Sequence, residues 1–507
     1  MTATDQIILS SGNAGLDSIL HGGLPSQYSY LVQGQSGTGK TTLVLQFLSE
    51  GAKRGESTVY VSFSESLFEL QQVAQSHGWP LDKIEVAELA PTISRRSAAG
   101  SSIFHSTEVE LPDVISRIID IVERVEPTRL GIDSLTELRN MAESNRSYRR
   151  ALFRLKASLQ KRGVTTLFVG EKGEEAKTEA ESLVHGVLEL HMETPVYGPV
   201  HRVLEIKKIR GRTYETGLHD FSIVTGGLEV YPRIRPGTHR REIGADEPVQ
   251  SDVEALDRLL GGGLDRGTTS LVVGPSGVGK SSVVMQFCIA AAQRGEKSVI
   301  YTFSENPETT KRRARGMGLP LSRFLESGHI RILPVESSEH TPGHFVHLVR
   351  EDVKHRGVTF VAIDSLNGYV QAMPDAMALI ANLNDLLTYL GARGIVTMLV
   401  ITRNIALPST AQPRQIEYLS YLSDTVLYLN YFKDDGAVHK SITALKQRTR
   451  NHEKLVRRLT LGQGGLQIGE PLKQVTAPHV SSTSDLREDF TSSNRDTDRE
   501  RSQSQDE

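Results

Sequence analysis

Cysteine is nearly missing from this chain: Cys288 is the only one in 507 residues. No intrachain disulfide and no multi-cysteine metal centre can therefore form, and Cys288, set in an apolar run, reads as a buried thiol. Long hydrophobic runs are missing too. None reaches the roughly 18 apolar residues that a membrane-spanning helix needs, and Met1-Thr2-Ala3-Thr4-Asp5 carries no signal-peptide pattern. The expected location is the cytoplasm, without a membrane partner. A charge excess is also missing: 58 Lys and Arg face 61 Asp and Glu, a net −3. No global field draws the chain to nucleic acid or an anionic membrane, which leaves only local basic patches for such binding. With 38% hydrophobic and 23% charged residues, the composition is ordinary for a globular protein. The length allows about two to four domains.

What the chain does have is one phosphate-binding pattern written twice. Gly34-Gln35-Ser36-Gly37-Thr38-Gly39-Lys40-Thr41 and Gly274-Pro275-Ser276-Gly277-Val278-Gly279-Lys280-Ser281 both fit G-x-x-x-x-G-K-[ST]. Thr42 and Ser282 follow them and join the expected ATP-binding set. In such a loop the glycines let backbone N–H groups close around a phosphate. The Lys reaches the outer phosphates, and the Thr or Ser hydroxyl binds Mg²⁺. ATP and Mg²⁺ are thus the expected substrate and cofactor.

The repeat extends beyond the loops. At the 240-residue spacing of Lys40 and Lys280, Asp17 matches Asp257, Gly22-Gly23 matches Gly262-Gly263, and Gln46-Phe47 matches Gln286-Phe287. Arg54-Gly55-Glu56 matches Arg294-Gly295-Glu296, and Phe63-Ser64-Glu65 matches Phe303-Ser304-Glu305. Ile132-Asp133-Ser134 recurs as Ile363-Asp364-Ser365 at a spacing of 231. A period this long means two tandem domains, not a short-repeat solenoid.

Each half alternates short apolar strands with periodic helices. The pattern predicts a strand over 28–32 running into the first loop and a helix over 41–54. It predicts further strands over 58–63, 129–133 and 164–169, and a helix over 148–162. The second half repeats this, with strands over 268–273, 298–303, 360–364 and 395–401. Such alternation predicts an α/β fold: mainly parallel sheets flanked by helices, as in tandem RecA-like P-loop NTPase domains. Ligands of such sheets sit at the C-terminal strand ends, where both loops and both Asp residues fall. The expected domains are 1–235 and 250–472, with an Arg-rich linker at 236–249. A polar tail at 473–507, poor in apolar residues, is expected to be disordered.

Three further features carry chemistry. Asp133 and Asp364 end apolar strands, the place for an acidic residue that holds Mg²⁺ beside the hydroxyl of Thr41 or Ser281; the alternative role is a helix N-cap. Glu65 and Glu305 follow the second strand of each half. A carboxylate there orients or deprotonates the attacking water; alternatively it caps a turn. With Lys40 and Lys280 they make up the expected catalytic set. Finally, Lys208 with Arg210, and Lys446 with Arg448, alternate near the end of each half and share one face. They suit a phosphate presented by a neighbouring subunit, or else form a solvated edge strand.

Together these residues give the chain its resemblance to the KaiC family of double-domain RecA-like ATPases. The carriers are Gly22-Gly23-Leu24 and Gly262-Gly263-Leu264, both loops, the Phe-x-Glu strand ends, the Ile-Asp-Ser strands and the Lys-x-Arg elements. Tyr148-Arg149-Arg150-Ala151-Leu152-Phe153-Arg154-Leu155 also looks like the family's first domain, and the likeness covers roughly residues 7 to 470. The resemblance implies a homohexamer with ATP between subunits, slow hydrolysis in the first domain, and autokinase and autophosphatase chemistry in the second. It places Ser420, within Tyr418-Leu419-Ser420-Tyr421, at the phosphoserine position. Two departures stand out. Tyr421 replaces the second phosphoacceptor, and Ser64 and Ser304 replace the first of two adjacent Glu residues. Protein signalling partners fit this reading; nucleic acid is not favoured. The competing readings are a RecA- or helicase-like nucleic-acid-dependent ATPase and a nucleotide-switched signalling scaffold.

Overall fold

The computed structural model describes residues 6–89, 111–171, 177–194, 200–234, 247–303, 305–336, 339–371, 376–402 and 419–472. Ser304, most of the expected linker and the expected tail lie outside them. The chain divides into two compact units, Met1–Arg233 and Ile234–Glu507. Val249, at the end of the expected linker, is buried in the core of the second unit and bridges to Leu264.

Each unit is built on one nine-stranded sheet. In the first, the loop strand Ser29–Gly34 lies between Thr165–Glu171 and Gly186–Glu193. Arg129–Asp133, Thr58–Ser62 and Glu85–Glu88 follow outward on the Thr165 side, all parallel. On the other side His201–Ile209, Leu218–Val224 and Gly227–Tyr231 add antiparallel strands. The second unit has the same order around Thr269–Gly274. The parallel part runs from Ile330–Pro334 to Thr425–Asp434, and the antiparallel part from Ala437–Gln447 to Gly465–Pro471. The expected mainly parallel sheets are therefore present, each with an antiparallel extension. Helices cover both faces and form two cores per unit. No helix among the described residues is long and apolar enough to cross a membrane.

The element ends follow local chemistry. The helix expected over 148–162 starts earlier, at Asn145–Lys161, because Ser144 and Ser147 cap it reciprocally. The loop strand runs on to Gly34, which pairs with Glu171 on one side and Leu190 on the other. The helix after each loop, Lys40–Lys53 and Lys280–Gln293, follows a glycine with φ of 98° or 120°. A side chain at Gly39 or Gly279 would be strained there. Lys280–Gln293 is buried almost all round and includes Cys288, whose thiol is pushed up by burial.

The repeated Glu56 and Glu296 are anchored by different arginines. Arg129, fully buried, donates to Glu56 at 2.5 and 3.0 Å and to the carbonyls of Ser10 and Phe47 at 2.7 and 2.9 Å. Its guanidinium also lies 4.6 Å over the Phe47 ring. Gly51 makes room for it, since a Cβ there would lie 2.6 Å from Arg129 Cδ. The second unit has Ala291 and Phe360 at these places, and Arg266 reaches Glu296 instead, at 2.9 and 3.0 Å. Arg129→Ala is therefore expected to destabilise the first unit by about 3–5 kcal/mol, because it strands Glu56 and opens a buried gap. Denaturant unfolding of the variant checks this; a loss below about 1 kcal/mol would mean that Arg129 only fills space.

Candidate functional site

In both units the loop, the Asp and the Glu come from neighbouring parallel strand ends. Ser62 is in register with Asp133, and Phe63 N donates to Asp133 O at 2.9 Å. Thr302 is likewise in register with Asp364, and Phe303 N donates to Asp364 O at 2.9 Å. This pairing brings Glu65 and Glu305 beside the Asp strands. The peptide bond after each Asp is cis.

At the first loop, Lys40 Nζ donates to the carbonyls of Gly34 and Gln35 at 2.9 and 2.8 Å, which holds the ammonium at the loop mouth. Burial pushes its pKa down, opposed by Glu171 and Asp133. Thr41 Oγ1 donates to Asp133 Oδ2 at 2.7 Å, and Tyr60 Oη donates to the same oxygen at 2.9 Å. Asp133 is buried, and burial raises its pKa while these hydrogen bonds oppose the rise. The Asp is thus beside the expected hydroxyl and not merely a cap: Ser134, not Asp133, precedes the next helix, Leu135–Asn140.

Glu65 is half-buried, and its Oε2 has no hydrogen-bond partner among the described residues. Burial, then the charges of Asp133 and Glu69, push its pKa up to about 7. A tight turn positions it: Glu65 N donates to Ser62 Oγ at 3.0 Å, and Ser62 Oγ donates back to Glu65 O at 2.6 Å.

The second site has the same plan with different partners. Lys280 is buried and donates to Pro275 O at 2.7 Å. Burial lowers its pKa to about 8 against the pull of Asp364. Ser281 hydrogen-bonds Asp364, whose pKa burial raises. Ile300 stands where the first unit has Tyr60, so Asp364 lacks that donor. Glu305 is engaged: Thr310 Oγ1 donates to its Oε2 at 3.2 Å, and Arg313 forms an ion pair with the same oxygen.

Within the chain, each basic pair converges on backbone carbonyls of one short segment. Lys208 donates to Glu181 O, and Arg210 to Ser182 O at 2.8 Å. Lys446 donates to Ser420 O and Ser423 O at 2.7 Å each, and Arg448 to Tyr421 O at 3.0 Å. Both pairs thus sit against the C-terminal carbonyls of a short helix, where cations are favoured. Ser420 lies in the helical turn 419–422 and is partly exposed, next to Tyr421, which is 73% exposed. Among the described residues, Glu189, His191 and Glu205 bring metal-ligating side chains together. Lys207 lies 3.5 Å from Glu189 and 2.7 Å from Glu205 and offsets part of their charge.

Tyr60, Thr310 and Arg313 escape a motif search. They sit at ordinary core or helix positions, and only a residue-by-residue comparison of the halves would have marked them.

Two phosphate loops, each opening a helix at the C-terminal edge of a parallel sheet and facing an Asp–hydroxyl pair, define a tandem RecA-like P-loop ATPase. The chain belongs to the KaiC ATPase family, whose model it matches over residues 9–235 and again over 249–473. It is 26% identical over 476 residues to the circadian clock protein KaiC3 of Synechocystis sp., covering 92% of this chain and 93% of that one. It is 27% identical over 475 residues to the circadian clock oscillator protein KaiC of Picosynechococcus sp., covering 90% and 89%. The KaiC of Acaryochloris marina is also 27% identical, over 465 residues.

Proposed function

We propose that the chain is a Mg²⁺-dependent ATPase that couples a slow nucleotide cycle to signalling, with turnover centred on the first unit and serine autophosphorylation in the second. The observation that carries this is the unpartnered, half-buried Glu65 beside the Thr41–Asp133 pair. A hard-oxygen donor set of one hydroxyl and one carboxylate suits Mg²⁺. Thr41 with Asp133, and Ser281 with Asp364, would hold the ion, which when bound neutralises charge on the phosphates. Lys40 and Lys280 orient the phosphates and offset their charge. Glu65 takes the proton of the attacking water.

Ring assembly, probed by its dependence on ATP, is part of the same reading. Burial and the adjacent Arg210 or Arg448 hold Lys208 and Lys446 below the usual Lys range. A neighbour's phosphate would relieve both. The relatives' names as clock proteins support a timing or signalling use of the cycle. Ser420 is the proposed acceptor of the terminal phosphate.

Incubation of the full chain with γ-labelled ATP tests the proposal. The expected result is released phosphate together with slow labelling at Ser420, lost in Ser420→Ala, with no stable label at Tyr421. Phosphate release without any label in the segment around Ser420 would leave the ATPase standing and remove the kinase.

A further inference from the structure

The two catalytic carboxylates sit in the same place in the fold but in opposite states, and the helix that follows each explains why. In the first unit that helix is Leu67–His77, and in the second it is Pro307–Gly316. The starts are 240 residues apart, so Thr310 and Arg313 stand where the first unit has Leu70 and Val73. Leu70 is fully buried and Val73 packs on the same core, so neither offers Glu65 a polar atom. Thr310 and Arg313 both donate to Glu305 Oε2. Among the described residues Arg313 forms no other ion pair, although its charge also reaches Asp364; Glu308, nearby on that helix, is taken by Lys311 at 2.7 Å.

We propose that Arg313, seconded by Thr310, is a positioning residue that restrains Glu305 as a water-activating base, making hydrolysis in the second unit slow while the first unit turns over. This rests on the reading of Glu65 and Glu305 as the water-activating carboxylates. In hydrolysis the water oxygen bonds to the terminal phosphorus as the bridging P–O bond to ADP breaks, and the water proton passes to the carboxylate. With Oε2 accepting from both a guanidinium and a hydroxyl, only Oε1 is left to take that proton, and the two donors rather than the water set the orientation of the carboxylate. Release requires the helix or the Arg313 side chain to move, which would let a rearrangement at Pro307–Gly316 set the rate of the second unit.

The test uses the full chain in a Glu65→Gln background, so that turnover reports the second unit. Arg313→Val, which copies the first unit, and Arg313→Gln, which keeps most of the volume, should each raise kcat roughly five- to tenfold, the factor a partly exposed charged hydrogen bond sustains. The Kd for ATP should change much less than kcat, because among the described residues Arg313 makes no hydrogen bond or ion pair to the loop and reaches Asp364 only through its charge. Arg313→Lys, which keeps the charge, should remain slow. A purely structural Arg313 would instead lower the melting temperature and weaken binding without raising kcat. If both neutral variants stay folded and turn over no faster, the restraint is overturned. If they speed up but keep the gain when Glu305→Gln is added, Glu305 is not the base, and the underlying site assignment fails instead.

Discussion

Glu65→Gln is expected to lower turnover at the first site by about 10²- to 10⁴-fold, the usual range for loss of a general base, while leaving ATP binding intact. The amide keeps the size of the side chain and cannot take the proton of water. Measured in a Lys280→Ala background, phosphate release reports the first unit alone. The pH profile adds a second readout. Burial and the Asp133 and Glu69 charges raise Glu65 to about 7, so below that pH the carboxyl is protonated and cannot act as base. Turnover should therefore rise through neutral pH in the wild type, whereas an ordinary Glu would be fully ionised by about pH 6. The Gln variant should lose that rise. A variant that keeps both its rate and its pH dependence would move the base elsewhere.

The second large effect is on nucleotide binding itself. Lys40→Ala and Lys280→Ala should each remove one of two ATP-binding events in titration calorimetry, and the double variant both. Truncating a buried, hydrogen-bonded cation opposite a phosphate costs about 2–5 kcal/mol, or roughly 30- to several-thousand-fold in affinity. The sites should differ in one respect. Lys280 is the more buried and titrates near 8, so a polyphosphate that stabilises its charged form should draw in part of a proton at about pH 8. Calorimetry in buffers of different ionisation enthalpy detects that uptake. Stoichiometric Mg·ATP binding by the double variant would overturn both loop assignments.

The duplicated loops, the Asp at each strand end and the Phe-x-Glu pairs were legible because phosphate chemistry demands particular residue types at fixed spacing. Strand and helix alternation was legible because burial on both sheet faces leaves apolar runs of one length and helical faces of another. The antiparallel extensions were legible only in part: they are hairpins of consecutive strands, and the turn Asp435-Gly436 marks one locally, but no local pattern states that these hairpins continue the parallel sheet. The Lys-x-Arg pairs were legible as cationic pairs. Their capping of short helices was not, since the carbonyls they meet lie 23 to 28 residues away for the first pair's Ser182 and the second pair's Ser423.

By itself, then, the sequence determined the class: two nucleotide-binding α/β units, their loops and their acidic partners. These depend on local spacing and on residue chemistry that no fold can supply in another way. Only the tertiary structure decided that the two sites are unequal. Glu65 and Glu305 are the same residue at the same strand end, but a carboxylate's work depends on what faces it. Leu70 and Val73 leave Glu65 without a partner, while Thr310 and Arg313 occupy Glu305. That difference arises from a packed helix turning one side of itself toward the site, which spacing within a motif does not encode.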